Sequence, residues 1–372
     1  MRFIAHTGLP KTGTSAVQEW LHARAADLLA HGIVVPVEIL PAHGNCILVI
    51  EALMIPKAQR NPKQADLVEK TREIIARPGA TDFLISSEYL EKVIYWPERT
   101  RTFQAGLAEV GAKWDMALTV LRNPLDILNS TYAQNIKNEY YPRSFPGFLT
   151  FRRDNKINEY SRNILLLRQA GVDVRVMAYR GSKTTMPLTE QLIQLAGLRD
   201  RLPENFDFTA PYSNESFGGL GVIAARHIWS VAHHAAPGMA SNLQYQFGVI
   251  LREELSKLND RPFNGFSAEM RRFYTRHFAA SLAALKPDLD AGDFELLQIS
   301  RSAGDPVSAS GWEELDATDK LQIHESLARI AERVGGHPLL ADFLPQRFFL
   351  RLPRIGEQRP AGISQKAGSM KT

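Results

Sequence analysis

The chain has 372 residues, of which 44% are hydrophobic and 23% are charged, so it can fold as one large globular domain or as one domain with an appendage. The formal net charge of +4 is a mild excess that fits a polyanionic ligand. Nucleic acid is not indicated as a partner, because the sequence has no long basic run and no interleaving of basic and aromatic residues.

The first predicted element is a short strand over 3–6, which a loop connects to a helix-forming stretch over 14–30. A loop that opens a helix presents free backbone N–H groups and the positive end of the helix dipole, and both favour an anion, most often phosphate. Two glycines, Gly8 and Gly13, let the backbone curl without Cβ clashes. The loop also carries one full positive charge and three hydroxyl donors, which come from Lys11, Thr12, Thr14 and Ser15. The sequence therefore predicts a phosphate cradle over residues 7–15.

This cradle departs from the Walker A motif of nucleoside triphosphatases. Gly8 and Gly13 have the G-x-x-x-x-G spacing, after which Walker A continues with Lys and then Ser or Thr. Here Thr14 follows Gly13 directly, and Lys11 lies inside the loop. The missing Gly-Lys-Thr order counts against a divergent kinase that uses ATP or GTP, although that hypothesis stays open. A plain strand-to-helix turn with incidental glycines is the alternative without a ligand.

Further apolar runs rich in β-branched residues predict strands over 33–35, 83–86, 116–121 and 174–178. Amphipathic stretches between the strands predict helices over 64–76, 99–110, 125–138 and 156–170. Strands that alternate with helices indicate an α/β domain over 1–200, with a parallel sheet flanked by helices. A linker over 201–207 begins a mainly helical portion over 201–356, with helices near 217–235, 241–258, 267–285 and 313–334. The polar tail, 357–372, is expected to be disordered.

A second anion-binding element follows the strand predicted over 116–121. Arg122 ends this strand, and Ser130 comes eight residues later, about two turns into the next helix. The planar guanidinium of arginine matches the oxygen atoms of a phosphate group, and the Ser130 hydroxyl would reach the same anion. Each residue alone could be an ordinary surface side chain. Together with the first cradle, however, the pair favours a phosphate-binding role.

The segment Pro10-Lys11-Thr12-Gly13-Thr14-Ser15 resembles the 5′-phosphosulfate loop of sulfotransferases that use 3′-phosphoadenosine 5′-phosphosulfate, PAPS. In that family, a strand-end Arg and a Ser eight residues later hold the 3′-phosphate, and Arg122 and Ser130 have this spacing. The sequence of these segments is most similar to bacterial sulfotransferase-like proteins, and the resemblance covers roughly residues 1–220. It includes the segments over 85–88, 132–137, 157–160 and 174–179.

The resemblance implies a P-loop NTPase-like sulfotransferase fold with a helical C-terminal extension. It implies transfer of a sulfonate from PAPS to a hydroxyl or amine of an acceptor, which would be a carbohydrate, a glycolipid or a small metabolite. Lys11 would stabilise the charge that develops on the leaving oxygen, as positioning and electrostatics do in phosphoryl transfer. No metal is required in this chemistry, because the leaving nucleotide is already a good anion.

Three residues are candidates for the base that takes the acceptor proton. Glu88 is the first choice, because it follows the strand over 83–86 and should lie at the same sheet edge as Lys11. The alternative for Glu88 is a helix-start residue that favours the helix dipole. His6, at the end of the first strand, and His43, in a loop that could line the acceptor cleft, are second candidates with structural alternatives. Arg180, Ser182 and Lys183 are further candidates for a contact with the 3′-phosphate.

The first strand begins at residue 2 with no signal peptide before it, and no apolar run approaches the 18 residues that suggest a transmembrane helix. The single cysteine, Cys46, excludes an internal disulfide, and its apolar neighbours predict a core position. We therefore expect a cytoplasmic protein without a transmembrane segment. A nucleotide-binding protein without catalytic activity is the third functional hypothesis. The sequence does not indicate an oligomeric state.

Overall fold

The computed structural model describes residues 1–9, 12–40, 46–138, 144–181, 184–210, 218–235, 240–258, 263–298, 315–337 and 340. The predicted disordered tail, 357–372, lies outside these residues. The chain divides into two compact units. The first comprises Met1–Gln134, Arg143–Ser216 and Arg261–Ser310, and the second comprises Asn135–Pro142, Phe217–Asp260 and Gly311–Thr372.

The first unit is built on a parallel sheet of five strands, which confirms the predicted α/β class. The strands are β1 (Arg2–His6), β2 (Ile33–Val34), β3 (Asp82–Ser86), β4 (Lys113–Leu121) and β5 (Asp173–Ala178). Each coincides with a stretch in which the sequence predicts a strand. Their order across the sheet is β2-β3-β1-β4-β5, and every pair of neighbours is parallel.

Helices connect and flank these strands. Those before β4 are α1 (Thr14–Ala23), α2 (Ala25–Ala30), α3 (Ile47–Met54), α4 (Pro62–Ile75), α5 (Leu90–Ile94) and α6 (Pro97–Glu109). Those from β4 to residue 200 are α7 (Pro124–Asn138), α8 (Phe145–Asp154), α9 (Tyr160–Gln169) and α10 (Leu188–Leu195). Those after residue 200 are α11 (Gly219–Ala235), α12 (Ser241–Leu255), α13 (Ala268–Ala283), α14 (Ala291–Gln298) and α15 (Ala317–Gly335).

Most predicted helices shift by a few residues at their ends, and two differences have a clear physical reason. The stretch over 14–30 is interrupted at Arg24, which separates α1 from α2. The helix predicted over 156–170 begins only at Tyr160. Before it, Lys156 (φ 55°) and Asn158 (φ 83°) adopt left-handed conformations, which a right-handed helix cannot accommodate.

The core lies on both faces of the sheet, because successive side chains of a strand point to opposite faces. On one face, Ile4 and Leu118 belong to a buried cluster with Trp20 of α1 and Leu192 of α10. The other face is aromatic and includes Phe3, Phe83, Phe103 and Trp114. The rings of Phe103 and Trp114 meet edge to face with centroids 5.3 Å apart, a preferred geometry for aromatic pairs.

The segment over 201–207, in which the sequence predicts a linker, packs onto the first unit. Arg201 forms an ion pair with the buried Asp82 of β3. The Trp20 indole nitrogen donates a hydrogen bond to the Asp207 carbonyl at 3.0 Å, and the Trp20 ring stacks on Phe208. These contacts tie the chain after β5 back to α1 and β3. The helices α13 and α14, which follow residue 200, also group with the sheet.

The second unit contains α11, α12 and α15, and a buried carboxylate joins the last two. Glu254 of α12 accepts hydrogen bonds from Lys257, Arg329 and Arg333 at 2.8–3.1 Å. Because a buried carboxylate is costly unless it is paired, these three partners stabilise its charged form and hold its pKa below the ordinary range despite the cost of burial. In the described part of the chain, every helix is too short or too polar to cross a membrane.

Candidate functional site

The two predicted anion-binding segments leave neighbouring strands at the same edge of the sheet. β1 lies between β3 and β4. The strands β2 and β3 lie on one side of β1, and the later strands β4 and β5 lie on the other side. The order of strands thus reverses between β1 and β4. In open α/β sheets, ligands bind outside the carboxyl ends of the strands at such a reversal. The loops after β1 and β4 both border this crevice.

The loop after β1 opens α1 without a side-chain cap. Gly13 is the N-cap residue, with the left-handed angles φ 85° and ψ 13°, and no side chain accepts a hydrogen bond from the first turn. The first helical bond runs from the Val17 N–H to the Gly13 carbonyl at 3.2 Å. The N–H groups of Thr14, Ser15 and Ala16 therefore have no partner within the helix, as in helix termini that bind anions.

Both glycines of the cradle are required sterically, as the sequence predicts. A Cβ at Gly8 would lie 2.6 Å from His6 Nε2 and 2.7 Å from Thr14 Oγ1. A Cβ at Gly13 would lie 2.5 Å from Leu188 Cδ2, and the positive φ of Gly13 disfavours other residues in any case. The backbone of the cradle thus fits its surroundings only without these side chains.

The threonine hydroxyls of the cradle brace the loop internally. Thr12 Oγ1 donates to the Leu9 carbonyl at 2.7 Å, and Thr14 Oγ1 lies 3.4 Å from the same oxygen. Both threonines are buried, whereas Ser15 is exposed. Pro10 and Lys11, which complete the predicted cradle, lie outside the described residues. Contact of these residues with a nucleotide stays a prediction.

His6 lies beneath the cradle, where it is only 1% exposed. Its Nδ1 is 2.8 Å from Ser86 Oγ of β3, and its buried Nε2 has no hydrogen-bond partner in the part of the chain that the structure describes. Burial lowers the pKa of His6 to about 3, so the imidazole is neutral at physiological pH. A neutral ring under Gly8 supports the loop, and its catalytic role stays a prediction.

Glu88 lies where the sequence predicts, in the turn between β3 and α5. Its carbonyl accepts a hydrogen bond from the Glu91 N–H at 3.1 Å, and Ser87 Oγ caps the same turn by accepting from the Tyr89 N–H at 3.2 Å. The end of β3 pairs with the end of β1, with Ser86 opposite His6. Glu88 therefore follows directly at the edge that carries the cradle. His43, the other candidate base, lies outside the described residues.

Arg122 and Ser130 converge on one residue of the first turns of α7. Arg122 Nε lies 3.9 Å from the Asp126 carboxylate, and Ser130 Oγ donates to the Asp126 carbonyl at 2.7 Å. Each of these contacts spans four residues of the chain, and joint binding of a phosphate by the pair stays a prediction. β4 continues three residues beyond Leu118, the register partner of His6. At about 3.3 Å per residue, this extension sets Arg122 more than about 10 Å further along the sheet direction than the end of β1.

Arg180, which the sequence offers as a further phosphate contact, is engaged by two carboxylates. Its Nε donates to Asp293 at 2.8 Å, and its Nη2 donates to Asp290 at 3.0 Å. These partners raise the pKa of Arg180, with the hydrogen bond to Asp293 as the main cause. Asp293 also accepts from the Ala178 N–H at 3.0 Å. The arrangement fixes α14 to the end of β5, so Arg180 has a structural role here. Ser182 and Lys183 lie outside the described residues.

A polar cluster that the sequence analysis does not include lies near the same edge. The carboxylate of Glu91 in α5 accepts a hydrogen bond from the Tyr95 hydroxyl and lies 3.4 Å from Arg152 Nη2. Tyr160 donates to the Arg122 carbonyl at 2.9 Å, and burial raises the pKa of Tyr160. The four-residue spacing of Glu91 and Tyr95 is an ordinary helical pattern, so no sequence signal distinguishes this cluster from a surface pair.

Comparison with known proteins gives no family for this chain: no family model matches the sequence, and no curated protein matches it either. In the described residues, no group of three or more His, Cys, Asp or Glu side chains is arranged to hold a metal ion. Cys46 is buried as the sequence predicts, and burial raises the pKa of its thiol to about 12.

Proposed function

We propose that this protein is a sulfotransferase that moves the sulfonate of PAPS to a hydroxyl or amine of an acceptor. The observation that carries the proposal is the placement of two anion-binding elements on neighbouring strands. The capless N-terminus of α1 follows β1, and Arg122 follows β4, on either side of the position where the strand order reverses. A nucleotide with phosphate groups at two separate positions suits two such elements.

Observations at both elements support this proposal. At the first element, the glycine N-cap of α1 provides no side-chain cap, so the N–H groups of the first turn can bind a 5′-phosphate. At the second element, Arg122 lies 3.9 Å from the Asp126 carboxylate, and Ser130 donates a hydrogen bond to the Asp126 carbonyl. A guanidinium and a hydroxyl in this arrangement can bind the 3′-phosphate together.

The proposed roles combine the sequence with the described positions. Lys11, whose role rests on the sequence, stabilises the negative charge on the oxygen that leaves the sulfur, which is the largest single contribution in this kind of transfer. A carboxylate near the same sheet edge takes the proton of the acceptor, and Glu88 is the candidate that the sequence offers. His6 supports the cradle from below. We also propose that the protein acts in the cytoplasm, where PAPS would be its co-substrate.

A thermal-shift experiment tests the nucleotide specificity. A ligand that binds the native state raises the melting temperature in proportion to the logarithm of its concentration over Kd. We expect adenosine 3′,5′-bisphosphate to raise the melting temperature more than ATP with Mg²⁺ does, at equal concentrations. A larger rise of the melting temperature with ATP and Mg²⁺ would favour a divergent kinase. No rise with either nucleotide would contradict the proposed nucleotide site.

A second measurement separates catalysis from binding. Labelled PAPS is incubated with panels of alcohols, phenols, amines and sugars, with and without a chelator of divalent cations. Transfer of label that the chelator leaves unchanged is the expected result. Binding of the bisphosphate without transfer to any acceptor would favour a nucleotide-binding protein that lacks catalytic activity.

A further inference from the structure

A pocket opens on the side of the sheet covered by α5 and α9, at the carboxyl ends of β1 and β4. It encloses about 370 Å³ of empty space, part of which is open to solvent. One wall is the start of the cradle itself, Thr7 and Leu9. The pocket therefore shares a wall with the segment that is proposed to hold the sulfonate donor.

The polar side of this pocket consists of hydroxyl, amide and carboxylate groups. Thr7 Oγ1 and Thr119 Oγ1 are 2.9 Å apart and join β1 to β4 at the pocket wall. Asn163 of α9 also lines the pocket, and its buried Oδ1 has no hydrogen-bond partner among the described residues. Glu91 of α5 supplies a carboxylate. A ligand that enters the pocket thus meets several groups able to bind a hydroxyl.

Glu91 is held through one of its two carboxylate oxygens. Oε1 accepts from the Tyr95 hydroxyl and faces Arg152 Nη2 at 3.4 Å. Among the described residues, no hydrogen bond is made to Oε2. Burial raises the pKa of Glu91, whereas Arg152 and Lys92 oppose this effect. Because one oxygen is fixed and the other is not, the carboxylate is oriented and can still accept a proton.

The remaining walls are apolar. Ile94, Leu121, Ile164 and Leu167 line the pocket together with the rings of Tyr95 and Tyr160. Such walls favour an apolar ring and disfavour a sugar, whose many hydroxyls would lose water without finding partners. Because the 370 Å³ includes space open to solvent, the enclosed part of the pocket is smaller and has no room for an oligosaccharide.

We propose that this pocket binds a small acceptor whose hydroxyl is carried on an apolar ring, and that Glu91 Oε2 accepts the proton of that hydroxyl. This inference rests on the proposed sulfotransferase function, and it names the class of acceptor for the same site. It assigns the proton transfer to Glu91 in place of Glu88, which lies three residues earlier in the turn after β3.

The step balances without a further reactant. The acceptor oxygen forms a bond to sulfur while its proton passes to Glu91 Oε2. The bond between sulfur and the bridging oxygen breaks, and its electron pair stays on the 5′-phosphate of the departing nucleotide. The products are the sulfate ester, adenosine 3′,5′-bisphosphate and protonated Glu91, which then loses its proton to water.

The experiment uses 4-methylphenol as the probe, because a simple phenol stays protonated at neutral pH and needs a base. Its binding to the full chain is measured by calorimetry in the presence of adenosine 3′,5′-bisphosphate. Ile164→Trp fills the pocket, whereas Leu165→Trp is a matched control on the neighbouring residue, whose side chain is 54% exposed. We expect at least tenfold weaker binding in Ile164→Trp and unchanged binding in Leu165→Trp. Equal binding in both variants, or none in the wild type, would overturn the pocket assignment.

The role of Glu91 is tested with Glu91→Gln, which keeps the shape of the side chain. With PAPS and 4-methylphenol, we expect kcat to fall by about 10²–10⁴, the usual contribution of a general base. The wild-type loss of rate at low pH should disappear in this variant, whereas Glu88→Gln should keep it. Full activity in Glu91→Gln, or a wild type that binds both ligands without turnover, would rule out this role.

The pocket and the proposed function fail in distinguishable ways. If adenosine 3′,5′-bisphosphate does not bind but Ile164→Trp still blocks 4-methylphenol, the pocket stands and the sulfotransferase proposal falls. If the bisphosphate binds normally and transfer occurs only to acceptors that Ile164→Trp does not affect, the sulfotransferase proposal stands and this pocket is not the acceptor site. Ile164→Trp places a larger side chain in the core. Its melting temperature is therefore compared with that of Glu91→Gln, to separate loss of folding from loss of binding.

Discussion

The imidazole of His6 lies directly against the backbone of Gly8. A Cβ at residue 8 would be 2.6 Å from His6 Nε2 and 2.7 Å from Cε1, closer than real Cβ atoms approach their neighbours. His6 is in turn fixed from the other side, because its Nδ1 is 2.8 Å from Ser86 Oγ. The shape of the cradle after β1 is therefore set by a ring that is anchored to β3.

Gly8→Ala should abolish the binding of adenosine 3′,5′-bisphosphate, because the added methyl group would push the cradle away from His6. Gly248→Ala is the control, since its Cβ would meet only ordinary contacts at 3.5 Å or more, in the middle of α12. Calorimetric titration should show bisphosphate binding in the control and none in Gly8→Ala. Wild-type affinity in Gly8→Ala would mean that the cradle adapts to the methyl group or does not hold the nucleotide.

His6 should make the stability of the protein depend on pH. Its pKa is about 3 in the folded protein and about 6.5 when unfolded, so protons bind the unfolded chain preferentially between these values. Its contribution is complete above pH 6.5 and is lost as the pH falls toward 3. From pH 7 to pH 5, the wild type should lose about 2 kcal/mol of unfolding free energy more than His6→Gln does. Urea denaturation of both proteins at the two pH values measures this difference. An equal change of the unfolding free energy in both proteins would contradict the prediction.

Arg122→Met should weaken the binding of adenosine 3′,5′-bisphosphate by about 10–100-fold, the usual effect of losing a hydrogen bond to a charged group. Binding of 5′-AMP, which lacks the 3′-phosphate, should change little. Arg101→Met removes an equal charge from an exposed position of α6 and serves as the control for net charge. Calorimetry with both nucleotides gives the comparison. An equal loss for both nucleotides would place Arg122 elsewhere than at the 3′-phosphate.

Lys11→Ala should reduce turnover by a factor of at least about 10²–10³, because one preorganised charge at the leaving oxygen is typically worth that much. The variant should keep the wild-type melting temperature. Lys70→Ala is the matched control, since Lys70 lies on the surface of α4 and pairs with Asp66. Transfer of label from PAPS is measured for both. Normal turnover in Lys11→Ala would remove this residue from the mechanism.

Much of the fold follows from local patterns. The β-branched apolar runs predict all five strands, because residues of this kind fit a pleated surface buried on both faces. Gly8 and Gly13 leave no room for a Cβ, as their place in the predicted cradle suggests. The packing of the segment over 201–207 does not follow from local patterns, because Trp20 and Asp82, which contact this segment, are distant in sequence.

The sequence by itself determined which segments are strands, where the glycine turn lies, and that Arg122 and Ser130 follow a strand at a set spacing, because each depends on neighbours along the chain. Only the tertiary structure decided that His6 is buried and neutral under Gly8, that the strand before Arg122 lies beside the strand before the cradle, and that Glu91 lines a pocket beside the cradle. Burial and strand order arise from contacts between residues far apart in the chain. No local pattern encodes them.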